Sequence, residues 1–318
     1  MNELSPAAEP LVSIGIPTYK RLPGLKRALE SAQSQDYSNF EIVISDNAST
    51  DGTEAYCRAV ARTDPRVTYT RQAMNVGPEK NFATALEISR GEYFMWLADD
   101  DWIDANYMSS CARFLTANSD FVVAAGYAQY AETDGSNERP GVNAAIVEKS
   151  PNERIASYYR TVLDNGVFYG VMRRSYLARL PIRRMMGSDW FMMASLAAWG
   201  KIATLSETTL HRSAGGISKD AESMINYYGL TGWKARQPFG MVATDAAKDI
   251  LWRSPVHRRE IGFLDRLRLS AIVYATIIGR YADLGHTESI AQNAWSSAHR
   301  ALFALNRMSS SVRRARSA

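Results

Sequence analysis

The chain has 318 residues, 46% apolar and 22% charged, an ordinary globular composition long enough for a catalytic domain plus an appendage. Cys57 and Cys111 are its only cysteines, which excludes a disulfide-stapled secreted scaffold. The net charge of +4 is uneven: residues 251–318 carry eleven arginines against four acidic residues, so residues 1–250 sum to −3.

Residues 1–10 lack the basic start and apolar core of a signal peptide, so a cytoplasmic protein is expected. The run Leu11-Val12-Ser13-Ile14-Gly15-Ile16-Pro17 predicts a first strand. Pro23 is placed to open a helix whose inward face is Leu25, Ala28, Leu29 and Ala32. Residues 40–45 predict a second strand, followed by the turn Asp46-Asn47-Ala48-Ser49-Thr50-Asp51-Gly52-Thr53 and a helix to about Arg62. A short third strand over 67–71, the loop Asn75-Val76-Gly77-Pro78 and a helix over 79–89 come next. The fourth strand, Tyr93-Phe94-Met95-Trp96-Leu97, runs into Asp99-Asp100-Asp101. Asp104 is expected to cap a helix through Leu115, and residues 121–126 to form a fifth strand.

Strand and helix thus alternate five times, which predicts an α/β fold with a mostly parallel sheet and helices on both faces. Residues 133–140 form a polar loop that closes this half. Beyond it, residues 166–172 and 201–205 read as strands, and 189–199 as a helix. Past about Asp220 the pattern is helical. The apolar stretch 269–279 is far short of the roughly 20 residues that span a bilayer, so a packed helix is expected. The last stretch, 308–318, is rich in Ser and Arg and is expected to fray. The domain reading is a flexible start over 1–10, a nucleotide-binding half over 11–130, a second half over 131–220, and a helical segment with a basic tail over 221–318.

In open α/β sheets, ligands bind outside the carboxyl ends of the strands. Three adjacent carboxylates there repel one another, a cost relieved by a cation, so a divalent metal holding a diphosphate is the first functional expectation. The first turn, Pro17-Thr18-Tyr19-Lys20-Arg21, supplies a hydroxyl, an aromatic ring and two cations. The ring can stack on a base, and the cations can meet phosphate. It carries neither the G-x-G-x-x-G fingerprint of dinucleotide folds nor a P-loop. Asp46 can accept from a base N–H or make a local turn or cap, a role it could share with Asp51.

Pro17-Thr18-Tyr19, the Asp46 to Thr53 turn, Asn75-Val76-Gly77 and Asp99-Asp100-Asp101 together resemble glycosyltransferase family 2, in the family's order and spacing, over about residues 10–216. The resemblance implies a GT-A fold, a Rossmann-like half followed by an acceptor half. It also implies a nucleotide-diphosphate sugar donor, Mg²⁺ or Mn²⁺, and inversion at the anomeric carbon. Under it Thr18 and Tyr19 line the nucleoside pocket and Asp46 contacts the base. Pro17, Arg21, Asn75 and Gly77 belong to the same donor site. The aspartate run matches the DxD element, with Asp101 as the metal ligand and Asp100 on the ribose or beside the metal. Asp99 and Asp101 could equally be the DxD pair. Gly187-Ser188-Asp189-Trp190 resembles the family's Glu-Asp element, with Ser188 in place of Glu and Asp189 as general base; Asp189 also suits a helix start. The segment from Leu210 to Ser218 resembles the one that brings His or Arg to the diphosphate. His211 is therefore a candidate metal ligand and Arg212 a candidate phosphate holder.

The function expected is transfer of a sugar, with a UDP-sugar favoured, to an acceptor hydroxyl. The acceptor is a saccharide or lipid-linked saccharide of bacterial surface polysaccharide synthesis. Two other classes stay open: a sugar-nucleotide nucleotidyltransferase, which would carry a Gly-rich first loop that is missing here, and a non-catalytic carbohydrate-binding relative. No nucleic-acid partner is expected. The arginines of 251–318, interleaved with Trp252, Phe263, Leu264, Trp295 and Phe303, suit peripheral contact with an anionic membrane at the inner face of the cell membrane. They also suit helices packed on the domain or on a second subunit, and the oligomeric state is left open.

Overall fold

A computed structural model describes residues 9–131, 138–163, 165–213 and 221–282. Trp295, Phe303, the 308–318 tail, most of the polar loop from Thr133 and residues 214–218 lie outside the described residues. The first half runs β1 (Val12–Thr18), α1 (Leu22–Gln33), β2 (Phe40–Asp46), α2 (Thr53–Thr63), β3 (Val67–Arg71), α3 (Pro78–Glu87) and β4 (Tyr93–Trp96). It continues through β5 (Trp102–Ile103), α4 (Tyr107–Ala117), β6 (Phe121–Ala131) and β7 (Arg139–Pro140). Two later strands, β8 (Val171–Arg173) and β9 (Lys201–Ser213), complete a nine-stranded sheet in the order β3-β2-β1-β4-β8-β6-β9-β5, with β7 on β6, and the later helices include α6 (Arg174–Leu177), α8 (Ala221–Tyr228), α9 (Trp233–Arg236) and α10 (Pro238–Lys248).

β1 is buried along its whole length, as a strand covered on both faces must be. Val12, Ile14 and Ile16 pack into the core with Leu25, Ala28, Leu29 and Ala32 of α1. On the other face Gly15 meets Phe94 and Ala85 of α3, and a Cβ there would come within 2.7 Å of the Phe94 ring. β1, β2, β3 and β4 are mutually parallel, and the pairs Thr18↔Asp46 and Asp46↔Arg71 stand in register at their carboxyl ends. That register brings the first-turn residues and Asp46 together.

The parallel pattern holds through β4 and then gives way to a mixed sheet. β8 is antiparallel to both β4 and β6, β9 is parallel to β6, and β5 is antiparallel to β9. Only the end of the expected 166–172 strand is extended. Gly166–Tyr169 is a 3₁₀ turn, entered through Asn165 at φ 48°, and it stacks Phe168 on Trp96 with ring centroids 4.9 Å apart. β9 runs well past the expected 201–205, and a register shift against β6 between Gly126 and Tyr127 re-aims its end toward β5. Asp104 does not cap α4, which begins after Asn106. Its carboxylate instead accepts from the Thr209 N–H and meets the His211 ring.

Cα packing divides the chain into two units. One comprises Met1–Val147, Val162–Arg184 and Trp199–Gly216, and holds the sheet. The other comprises Glu148–Thr161, Met185–Ala198 and Ile217–Ala318. Within the second, α5 (Pro151–Thr161) contains Arg154, whose buried guanidinium donates to the Ala197 and Ala198 carbonyls at the end of α7 (Ser188–Trp199). The carbonyls that a helix end leaves open are thereby satisfied. Arg280 does the same for α5 through the Tyr159 and Arg160 carbonyls. Arg280 lies on α12 (Phe263–Ala282), where Leu269, Val273 and Ile277 are buried at helical spacing. Among the described residues no helix is long and apolar enough to cross a membrane.

Candidate active site

The three aspartates turn directly off β4, and α1 holds that turn from below. A Cβ on Gly24 would collide with the Asp99 carbonyl, so glycine is needed for the helix to approach this closely. The Arg27 guanidinium donates to the Asp100 carbonyl at 2.7 Å and lies 3.8 Å from the Trp102 ring centroid. Ser31 Oγ accepts the Ile103 N–H.

Each carboxylate has its own surroundings. Asp99 accepts from Thr18 Oγ1 at 2.8 Å and from the Tyr19 N–H at 3.3 Å. Arg21 pairs with Asp100 and lies 3.5 Å from Asp99. Asp101 is enclosed: Ser213 N–H donates to Oδ1 at 3.0 Å and Arg212 Nε to Oδ2 at 3.1 Å. Arg212 also donates to Tyr130 Oη and lies 4.3 Å over the Tyr169 ring. The Asp99, Asp100 and Asp101 side chains are 10%, 24% and 2% exposed, so Asp100 is the one that reaches outward.

Burial, followed by the neighbouring Asp100 charge, pushes Asp99 up to about 6 despite Thr18, Arg21 and the Tyr19 N–H. Asp101 is also raised, by burial above all, and the Arg212 charge only partly offsets this. Burial lowers Arg212 and Arg21, but their carboxylate partners outweigh it and keep both charged. Three carboxylates thus stand against the two guanidinium groups that pair with them, and burial is the main reason that two of the three are raised.

At the end of β2, Asp46 is fully buried. Oδ1 accepts the Ser49 N–H at 2.9 Å, Oδ2 accepts from Tyr69 Oη at 2.8 Å, and Arg71 Nε lies 3.5 Å away. Asp51 makes the turn into α2, whose N-cap is Gly52, accepting from Thr53 N–H and Oγ1 and from the Leu22 N–H. Asn75 Oδ1 accepts from Asn47 Nδ2 and the Gly77 N–H, both at 2.9 Å, and Gly77 sits at φ 86° where a side chain would be strained. Tyr19 is partly exposed, and hydrogen bonds from Asn75 and then Lys20 hold its phenol below its ordinary value. Pro17 precedes Thr18 in the buried end of β1.

The structure thus gathers Pro17, Thr18, Tyr19, Arg21, Asp46, Asn75, Gly77, Asp99, Asp100, Asp101 and Arg212 around the strand ends of the first unit. His211 follows a different course. Its Nε2 lies 2.8 Å from Asp104 Oδ1, and its ring stacks on Trp102 at 5.1 Å. Among the described residues no three His, Cys, Asp or Glu side chains form a group that could cage a metal by themselves. Asp189 belongs to the second unit, in the first turn of α7, half-buried and near enough to Tyr158 and Tyr159 to raise both phenols after burial has done so. Gly187 at φ 82° makes the turn into that helix.

Sequence reasoning missed Arg27, Asn81, Tyr69, Tyr130 and Tyr169. Asn81 is buried, accepts from Ser45 Oγ, and donates to the Ser45 and Thr18 carbonyls, tying β1 to β2. A signal existed: an amide four residues before Ala85 stands on the apolar face of α3.

A sheet of this order with flanking helices is a GT-A-like scaffold. The chain belongs to glycosyl transferase family 2, whose model matches residues 13–180. It is 33% identical over 160 residues to WcaA of Escherichia coli (strain K12), named for colanic acid biosynthesis, covering 50% of this chain and 56% of that protein. It is 35% identical over 114 residues to the abequosyltransferase RfbV of Salmonella typhimurium (strain LT2), covering 35% of this chain and 34% of that one. A β-1,3-glucosyltransferase of Campylobacter jejuni acting on GalNAc(5)-diNAcBac-PP-undecaprenol is 32% identical over 102 residues, 32% of this chain and 33% of that one. The chain thus spans about half of WcaA and a third of the other two. Residues 1–349 of Staphylococcus aureus TarS, in complex with UDP-GlcNAc, share the fold with a TM-score of 0.63 at 18% identity, covering 90% of this chain and 79% of that one. The mannosyltransferase PcManGT of Pyrobaculum calidifontis, solved with GDP-Man and Mn²⁺, aligns with a TM-score of 0.50 at 16% identity, over 92% and 81%.

Proposed function

We propose that this protein is an inverting glycosyltransferase that moves a sugar from a nucleotide-diphosphate sugar, with a UDP-sugar favoured, to an acceptor hydroxyl. The acceptor is a saccharide or lipid-linked saccharide of a bacterial surface polysaccharide, in keeping with the names of the family members it resembles. The observation that carries this is the under-neutralised aspartate cluster, framed by Arg21 and Arg212 at the carboxyl ends of β1, β2 and β4.

The residues fit a Mg²⁺ or Mn²⁺ ion. Hard carboxylate oxygens suit it, and such ions are commonly held by one or two carboxylates plus the substrate's phosphates rather than by a protein cage. Asp101 would hold it, with Asp100 beside it or on the ribose, and the ion would neutralise charge on the leaving diphosphate. Arg212 and Arg21 are placed to bind phosphate oxygens, and charge-assisted hydrogen bonds from guanidinium suit that task. Thr18 and Asn75 fix the loop where Tyr19 offers a ring to the base, and Asp46, held by Tyr69, would have to open its bonds to Ser49 or Tyr69 to meet the base edge. His211 would have to give up its bond to Asp104 to join a metal shell, just as Asp101 would have to loosen its bonds to Arg212 and the Ser213 N–H. Asp189 takes the proton from the acceptor hydroxyl as it attacks.

A panel of nucleotide sugars, titrated by calorimetry with and without Mn²⁺ and followed by product analysis, tests this. Metal-dependent binding of one donor and release of nucleoside diphosphate are expected. Conversion of the nucleotide sugar to nucleoside triphosphate and sugar 1-phosphate on addition of pyrophosphate would indicate a nucleotidyltransferase, and binding of free sugar without nucleotide would indicate a carbohydrate-binding relative.

A further inference from the structure

The second unit carries an exposed apolar surface that the transfer reaction does not use. Trp252, Phe263, Leu264 and Leu267 are each roughly half exposed or more, at 53%, 61%, 65% and 46%. Trp252 lies in the π-helical turn Asp249–Arg253, and Phe263 and Leu264 open α12. Arg266 joins these segments, donating to the Leu251 carbonyl at 2.6 Å while lying 5.7 Å over the Phe263 ring. On α12, Leu264, Leu267, Arg268 and Ala271 recur at positions i, i+3, i+4 and i+7, all exposed, while Leu269, Val273 and Ile277 face inward. The helix therefore has two apolar faces, and only one of them is spent on packing.

The flanks of this surface are basic. Arg258 and Arg259 are exposed on α11 (Pro255–Glu260), and five arginines lie within residues 252–268 against Glu260 and Asp265. The pairs made there, Arg268 with Asp265 at 3.5 Å and Arg259 with Glu260 at 3.7 Å, are surface contacts of the kind that exchange partners readily. The sequence after α12, residues 283–318, adds five more arginines and only two acidic residues. Large apolar side chains bordered by arginine on a helix not apolar enough to span a bilayer are the composition of an interfacial helix. Such a surface matches a plane with negative headgroups above an apolar layer.

We infer that Trp252, Phe263, Leu264 and Leu267, flanked by Arg258, Arg259 and Arg268, form a docking surface for an anionic lipid bilayer. The aromatic and leucine side chains enter the headgroup region, and the arginines meet lipid phosphates. None of these residues belongs to the donor-binding set, so the inference goes beyond the proposed reaction and can fail separately from it.

Co-sedimentation of the full chain with phosphatidylcholine vesicles, pure or containing phosphatidylglycerol, at low and high salt tests this. Binding to the anionic vesicles at low salt, little binding to the neutral ones and release by salt are expected. The double variant Arg258→Ala/Arg259→Ala should lower the anionic-vesicle partition coefficient on the order of tenfold. Phe263→Ser/Leu264→Ser should weaken binding at both salt concentrations. Both variants should retain wild-type melting curves and wild-type nucleotide binding in solution. Wild-type protein that ignores anionic vesicles at low salt overturns the inference. So does equal binding by both variants, which would move the contact to the 283–318 tail. Concentration-dependent dimerisation abolished by Phe263→Ser/Leu264→Ser, without vesicle binding, would assign the surface to a second copy instead.

Discussion

The sheet carries buried carboxylates at both ends of its parallel strands, and the two ends are built to opposite rules. At the amino end Glu41 of β2 is buried and fully served: it accepts from Ser13 Oγ at 2.7 Å, the Arg90 N–H at 2.6 Å, and Arg90 Nε and Nη2 at 2.9 and 2.8 Å. Ser13 in turn accepts the Gly91 N–H. Burial raises this carboxyl, yet those hydrogen bonds outweigh it and hold it below the usual range. At the carboxyl end Asp99 and Asp101 are buried too, and both are pushed up. Glu41 is a strut that locks β2 to the turn before β4. The aspartates stand as an unfinished charge site, which is how pKa perturbation in a cleft marks function rather than architecture.

The sharpest way to break that contrast is Asp101→Asn, which keeps an acceptor for the Ser213 N–H but removes the charge. Turnover should fall by about 10³-fold or more, since metal-assisted charge stabilisation is worth several kcal/mol. The Mn²⁺-dependent tightening of nucleoside diphosphate should vanish in the same variant. Circular dichroism would show whether the fold survives beside the buried Arg212. Unchanged metal dependence in a folded variant would remove Asp101 from the site.

Asp189 extends the comparison to the second unit. Asp189→Asn keeps the shape and the favourable position at the start of α7 but cannot take a proton. Transfer should fall roughly 10²–10⁴-fold, the span of general-base catalysis, while donor affinity measured by calorimetry stays at the wild-type value. Near-normal transfer would move the base elsewhere.

Glu41→Gln should show the reverse profile. It should cost about 2 kcal/mol of stability in chemical denaturation by breaking charge-assisted hydrogen bonds to Arg90, and leave the donor dissociation constant unchanged. A selective loss of donor binding without loss of stability would erase the distinction between the two ends.

Much of the first half was legible because its signals are local. Apolar runs of strand length, the proline at the start of α1 and the acidic run after β4 need only neighbours along the chain to be read. The four motifs fall at the strand ends because β1, β2, β3 and β4 are parallel and in register. What was illegible is non-local. Tyr69 reaches Asp46 across two strands, Tyr130 and Tyr169 flank Arg212 from two different elements, and Arg27 holds the aspartate turn through a backbone carbonyl. The β8 insertion between β4 and β6 has no periodic signature, since three residues carry no pattern. Asp104 looked like a cap because caps and strand-end carboxylates share composition, and only the antiparallel pairing of β5 with β9 shows which it is.

The smallest expected effect separates the two ends by the sign of their pH dependence. Asp99 titrates near 6 in the folded chain against an ordinary 3.8, so between those values the folded state binds more protons than the unfolded state. Its contribution to stability is therefore favourable at low pH and is lost as pH rises through about 6. Glu41 is depressed, so its contribution is present above the ordinary glutamate value and is lost as pH falls through its folded value. Thermal melts without metal or nucleotide, run from pH 4 to 8 on Asp99→Asn and Glu41→Gln, read both signs. Relative to wild type, Asp99→Asn should gain on the order of 1–2 kcal/mol between pH 4 and pH 7, the direction expected when a functional carboxylate is strained by burial. Glu41→Gln should instead lose most at pH 7, with its deficit shrinking toward pH 4. Comparing each variant with itself across pH cancels the packing change of the substitution. A flat difference for Asp99→Asn would mean that Thr18 and Arg21 satisfy that carboxylate as fully as Arg90 satisfies Glu41, and the carboxyl end of the sheet would then lose its claim to be the charged, unfinished one.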